Sequence, residues 1–120
     1  MAEFRESKGL RIRAGTRPHR FIGIWVVVVN DSVFVRSWSV KPRGWYRMFL
    51  EEPRGTVQIA DRKIAVRAAR TRDERLRDAI DRAYLEKYNT RGAIKYARDL
   101  GSAKSRATTI ELRPFAPISR

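Results

Sequence analysis

Guanidinium, hydroxyl and indole groups stand in immediate succession at Arg36-Ser37-Trp38, and a second indole and guanidinium follow at Trp45-Tyr46-Arg47. A planar guanidinium makes bidentate contact with phosphate or carboxylate, and an indole offers a flat face to a ring or a base. The chemistry open to this set is binding of a planar, anionic molecule. In an extended strand Arg36 and Trp38 share a face and Ser37 points the other way. Both Arg36 and Ser37 then reach one phosphate only if the strand bulges or Ser37 uses its backbone amide. A charge between Val35 and Ser37 must face water or meet an anion.

Other chemistries lack parts. The chain has no cysteine, which excludes disulfides, thiolate metal sites and a thiol nucleophile, and its single histidine, His19, lacks the partners of a triad or a multi-histidine metal site. His19 sits between Arg17 and Arg20, where solvation and donation to a ligand carbonyl are both open. Asp73, Glu74, Asp78 and Asp81 alternate with arginines at a spacing suited to helix-surface ion pairs, not to a metal site.

The formal charge of +14, from 27 Lys and Arg against 13 Asp and Glu, points to an anionic partner and fits a phosphorylated cofactor, nucleic acid, an acidic protein, or solubility alone in an arginine-biased composition. The densest basic stretch runs through Arg62, Lys63, Arg67, Arg70, Arg72, Arg75 and Arg77. Asp61, Asp73, Glu74 and Asp78 interrupt it, and no known nucleic-acid-binding motif accompanies it, so it reads as a solvated charged surface. No apolar stretch reaches a membrane-spanning length and residues 1–8 carry no signal-peptide core, so the expectation is a cytoplasmic protein without a membrane.

The elements that must hold the binding set can be read from periodicity. At 120 residues the chain suits one domain, with residues 1–8 an arm, 9–114 the fold and 115–120 a tail. Leu10-Arg11-Ile12-Arg13-Ala14 alternates as a strand whose basic face looks to solvent or to a ligand. The run from Phe21 to Val29, rich in β-branched residues, predicts one central strand covered on both sides; Asn30-Asp31 turns it into a second, alternating strand over Ser32 to Lys41 that carries Arg36. Trp45, Tyr46, Met48, Phe49 and Leu50 cluster at helical period, and residues 56–60 and 63–68 form another hairpin.

A capping box at Thr71-Arg72-Asp73-Glu74 predicts the start of a long helix carrying Leu76, Ile80, Ala83, Tyr84 and Tyr88. A shorter helix follows through Ala93, Ile94, Ala97 and Leu100, then a strand at 107–113 before Pro114. Six strands and two to three helices predict an α+β fold in which the strands close into a small antiparallel barrel.

Four segments carry a resemblance: Gly15-Thr16-Arg17-Pro18, Ile24-Trp25-Val26-Val27-Val28, Val35-Arg36-Ser37-Trp38 and Gly44-Trp45-Tyr46-Arg47. Together with Tyr84-Leu85-Glu86-Lys87-Tyr88 and the segment from Arg106 to Pro114, they resemble a small family of uncharacterised bacterial proteins. That family is related to the deazaflavin-dependent nitroreductases and, more distantly, to the split barrels of pyridoxamine-phosphate-oxidase type that bind flavin mononucleotide (FMN). The resemblance implies a six-stranded antiparallel split β-barrel, usually homodimeric, holding FMN or a deazaflavin at the subunit interface, as an oxidoreductase would. It implies that Arg17, Arg36, Ser37 and Arg47 hold anionic groups of the cofactor and that Trp38 and Trp45 wall its ring, with Lys41 at the border. The alternative is a cofactor-free basic protein that docks nucleic acid or an acidic partner on the same barrel.

Overall fold

In a computed structural model, which describes residues 2–15, 20–38 and 44–115, the chain forms seven strands and five helices among the described residues. In order they are α1 (Ala2–Glu6), β1 (Leu10–Ala14), β2 (Ile22–Ile24), β3 (Val26–Val29), β4 (Ser32–Val35), α2 (Trp45–Glu51) and β5 (Arg54–Ile59). Then come β6 (Arg62–Arg70), α3 (Glu74–Lys87), α4 (Ile94–Asp99), α5 (Ala103–Arg106) and β7 (Ile110–Pro114). One antiparallel sheet holds every strand, in the order β2-β1-β5-β6-β7-β4-β3. Its two edges, β2 and β3, are consecutive in the chain and separated by Trp25 alone, so covalent continuity draws the sheet into a nearly closed barrel.

The strand count is seven where six were expected, and the difference has one cause. The run from Phe21 to Val29 is a single extended segment that changes partners. Its first half pairs with β1, Ile24 opposite Leu10, and its second half with β4, Val26 opposite Val35. A strand serving both edges of a sheet must turn where it passes from one to the other, and Trp25 is that corner.

Asn30 and Asp31, with φ of 51° and 61°, make the two-residue turn into β4, the left-handed pair that matches the twist of a hairpin. Across β3, Val26 enters the barrel core with Ile12, Val35, Val57 and Val66, whereas Val27 packs outward with Phe34 against Ile80, Tyr84 and Leu100 of the helical layer. This strand is covered on both faces, as its unbroken apolar character requires. Each of these side chains contributes about 1.5–3 kcal/mol on burial.

Helices close the barrel's interior. Trp45, Tyr46 and Phe49 of α2 enter the core as their helical spacing predicts. Phe4 enters it too: where the sequence suggested an arm, α1 docks through this side chain, 2% exposed, with Arg62 of β6 paired to Glu3 at 2.7 Å. The long helix starts two residues later than the capping box implies. Asp73 is the cap, accepting from the Leu76 amide at 2.9 Å, while Thr71 is buried and its carbonyl accepts from Arg77. Among the described residues no helix is long and apolar enough to cross a membrane.

β1, β5 and α2 meet so closely at Gly55 that a Cβ there would lie 2.6 Å from the Arg13 carbonyl oxygen and 2.7 Å from Phe49. Backbone cannot yield as a flexible side chain can. Gly55→Ala should therefore lower the unfolding free energy by roughly 1–3 kcal/mol in urea denaturation. Gly23→Ala, whose methyl would meet nothing within 4 Å, should stay near the parent.

Candidate functional site

Arg36 leaves β4 and turns beneath the helical layer, where it is 1% exposed. Its Nε donates to Thr109 Oγ1 at 2.8 Å, Nη2 to the Arg77 carbonyl at 3.0 Å, and Nη1 to the Leu100 carbonyl at 2.9 Å and to Asp81. The anion that this charge meets is a carboxylate of α3. Burial pulls the Arg36 pKa down and Asp81 partly restores it, so the guanidinium stays charged. Asp81 also accepts from Arg106, which reaches Asp78 at 2.9 Å and Glu74 at 3.0 Å. The network ties β4, α3 and the α5–β7 connection together. Ser37 continues the same seam, its amide donating to Thr108 Oγ1 at 2.8 Å.

A second cluster forms at the strand corner. Tyr88 lies parallel to Trp25 with ring centroids 4.1 Å apart, and its hydroxyl donates to the Val26 carbonyl while accepting from the Val26 amide. Tyr84 donates to the Trp25 carbonyl, and Lys87 Nζ donates to the carbonyls of Val26 at 2.8 Å and Phe4 at 2.9 Å. Burial pushes the Tyr88 hydroxyl up to about 12 and the Lys87 ammonium down to about 8. These backbone groups at the corner are thus satisfied by α3.

The far side of Trp25 is open. Trp38 meets it edge-on at 5.3 Å, is 37% exposed, and donates its indole N–H toward the Tyr96 carbonyl. The two indoles border a cleft of about 650 Å³ whose other walls include Lys8, Arg11, Gln58 and the glycines Gly9 and Gly23. Gly9 permits a close approach there, since a Cβ would lie 2.7 Å from the Ile24 carbonyl oxygen. A smaller cleft of about 510 Å³ at the other end of β1 and β5 holds Arg13, Arg54, Thr56 and Phe115.

The sequence-derived site residues do not converge. Trp38 lies at the larger cleft. Arg36 and Ser37 are buried in the internal seam, Trp45 stands in the barrel core against Tyr46 and Phe49, and Arg47 is exposed on the outer side of α2. Arg17, His19 and Lys41 lie outside the described residues. Trp25, inside the run expected to be covered on both sides, lines the cleft instead, and so do Lys8 and Gln58, which no motif marks. The usable signal was the basic face of β1, which brings Arg11 to the cleft mouth.

Two outcomes follow from these contacts. Arg36→Ala leaves Asp81, Thr109 and the carbonyls of Arg77 and Leu100 short of a buried cation, and should cost about 3–5 kcal/mol in denaturant unfolding. For Lys87 the folded pKa falls from 10.5 to about 8, so the unfolded chain binds more protons between those values and stability should rise with pH across that window. The neutral amine keeps two N–H donors for its two carbonyls. Denaturation at pH 7 through 10.5 should show this rise in the parent and its absence in Lys87→Met.

None of the curated proteins matches the chain. Among solved structures it is similar to "Putative Pyridoxamine 5'-phosphate oxidase" from Listeria innocua, with a TM-score of 0.65, 13% identity, and 96% of this chain and 90% of that one covered. The conserved hypothetical protein Rv2991 from Mycobacterium tuberculosis matches at 0.60 and 11% identity, over 95% and 75% of the two chains. A FAD-binding protein from Mesorhizobium loti, mll6688, matches at 0.56 and 12% identity, over 97% and 86%. At such identities the likeness is one of fold, the split barrel. A family model matches residues 2–112, nearly the whole described chain, and on that match the protein belongs to DUF2255, a family of uncharacterised proteins conserved in bacteria.

Proposed function

We propose that the chain binds a flavin nucleotide, FMN or a deazaflavin, in the cleft bordered by Trp25 and Trp38. The observation that carries this reading is the composition of the cleft: two indoles in edge-to-face contact, with Lys8 and Arg11 among the remaining walls. A planar tricyclic ring with an anionic tail needs flat apolar surface at one end and cations at the other, and the volume lies within the usual 300–1,000 Å³ of small-molecule sites. Fold likeness to a FAD-binding protein and to a protein named for pyridoxamine-phosphate oxidation supports the same choice.

In this reading Trp38 gives the ring a wall and shields it from water, Lys8 and Arg11 hold the phosphate, and Gln58 offers a donor and an acceptor to polar ring edges. Arg36 is left out, because its hydrogen bonds and its charge serve the fold. A bound flavin supplies the hydride chemistry of an oxidoreductase, and the protein supplies binding, orientation and exclusion of solvent. The short inventory of acid-base residues is compatible with that division of labour.

Freshly purified protein should show flavin or deazaflavin absorbance, or should take up added FMN or a 5-deazaflavin with saturable quenching of tryptophan fluorescence. Trp38→Ala should weaken uptake by about tenfold or more, in line with the roughly 1–3 kcal/mol of a stacked ring. Trp45→Phe, a change inside the barrel core, should leave affinity near the parent. Uptake indifferent to Trp38 would overturn the assignment of the cleft.

A further inference from the structure

The outer face of the four neighbouring strands β1, β5, β6 and β7 carries a positive charge that, among the described residues, meets a carboxylate only where Glu111 pairs with Arg113. Alternation sends Ile12, Val57, Val66 and Leu112 into the barrel and turns Arg11, Arg13, Arg54, Lys63, Arg67 and Arg113 outward. The register aligns them in rows. Arg11 faces Gln58, which faces Lys63; Arg54 faces Arg67, which faces Arg113. Three arginines thus stand side by side on adjacent strands, about 4.8 Å apart.

Like charges directly opposite each other weaken a sheet. The one carboxylate in these four strands is Glu111, and Arg113 takes it at 3.1 Å. Among the described residues Arg11, Arg13, Arg54, Lys63 and Arg67 form no ion pair. Elsewhere the chain does the opposite: Arg36, Arg77 and Arg106 all meet carboxylates of α3.

Aromatic rings lie among these cations. Phe21 has Arg13 at 4.6 Å, Lys63 at 5.7 Å and Arg11 at 6.0 Å from its ring centroid. Phe115, 54% exposed, sits at the other end with Arg54 at 5.7 Å. Rows of cations beside an exposed ring, Phe115, and a half-buried one, Phe21, suit an anionic chain with free flat bases. We propose that this face binds single-stranded nucleic acid, the arginine row and Lys63 taking phosphates and Phe115 and Phe21 offering stacking surfaces. A second copy laid on the same patch would bring arginine rows together. An acidic peptide would meet the charge and leave the rings without a role, and a duplex keeps its bases stacked out of reach.

The proposal is independent of the flavin reading, since the Arg54, Arg67 and Arg113 row is no part of the tryptophan cleft. The test is fluorescence anisotropy of labelled oligo-dT and oligo-rU of about 15 nucleotides, measured from about 50 mM salt upward. Binding should weaken steeply with salt. Replacing Arg54, Arg67 and Arg113 by Gln together should lower the slope of log affinity against log salt by about 2, at ~0.7 per lost phosphate contact. Phe115→Ala should weaken binding about tenfold.

Relief of like-charge crowding should leave the triple variant at least as heat-stable as the parent, which separates lost contacts from lost fold. Saturating FMN should leave oligonucleotide binding intact, and a preference between the two oligonucleotides assigns DNA or RNA. No retention at low salt, an unchanged slope in the triple variant, a duplex of equal length bound as tightly, or displacement by poly-glutamate at equal charge would each overturn the proposal.

Discussion

One extended segment serves both edges of the sheet, and the rest of the molecule is arranged around the corner this forces at Trp25. At that corner the Trp25 carbonyl and the polar groups of Val26 meet side chains, although Val26 still lies opposite Val35, and a buried amide or carbonyl without a partner costs about as much as a lost hydrogen bond. α3 supplies the partners from one helical face: Tyr84 to the Trp25 carbonyl, Tyr88 to both polar groups of Val26, Lys87 to the carbonyls of Val26 and Phe4. Closure of the barrel, docking of α1 and placement of the long helix are therefore one set of contacts. The same corner turns the free side of the Trp25 indole toward the cleft.

Charge is used in two ways. Where elements must be joined, cations are matched: Arg36 and Arg106 share Asp81, and Arg106 also meets Glu74 and Asp78 of α3. Arg36 also donates to the Arg77 carbonyl in α3, the Leu100 carbonyl after α4 and Thr109 just before β7. A buried ion pair with most of its donors satisfied gives little net stability over apolar packing, but removing one member exposes the full cost of the other. That asymmetry makes Arg36 a fixture of the fold. On the outer sheet the arginines face one another instead, a local cost offset in part by Glu111 beside Arg113 and the Phe115 ring beside Arg54. The linear basic stretch from Arg62 to Arg77 meanwhile dissolves in three dimensions, since Arg62 turns to Glu3 and Arg77 to Glu74 and the Thr71 carbonyl, leaving Lys63 and Arg67 to the sheet face.

Fold and function are carried by different observations here. Seven strands wound into a split barrel would suit a flavin protein or a protein that has kept only the scaffold. What favours a flavin is the local chemistry of one cleft, where two indoles and two cations meet across segments far apart in sequence. Opposite ends of β1 face the two clefts, so a single alternating strand places Arg11 beside the tryptophans and Arg13 beside Phe115.

Much of the architecture was legible in the residues. Alternation marked β1, the hairpin of β5 and β6, and β7; Asn30-Asp31 announced its left-handed turn; Trp45, Tyr46 and Phe49 declared the buried face of α2. These follow from local sterics and period, which a short window of sequence contains. The exchange of partners at Trp25 was not legible, because unbroken apolar runs look alike whether a strand keeps one neighbour or takes two. Nor was the fate of Arg36: a lone charge in a strand declares that it needs an anion, and only the packing of α3 across β4 shows that Asp81 is that anion. The groupings proposed to meet ligands, Trp25 with Trp38 and the row Arg54, Arg67 and Arg113, are products of register and closure. They join residues that no local rule connects, so tertiary structure alone decides them.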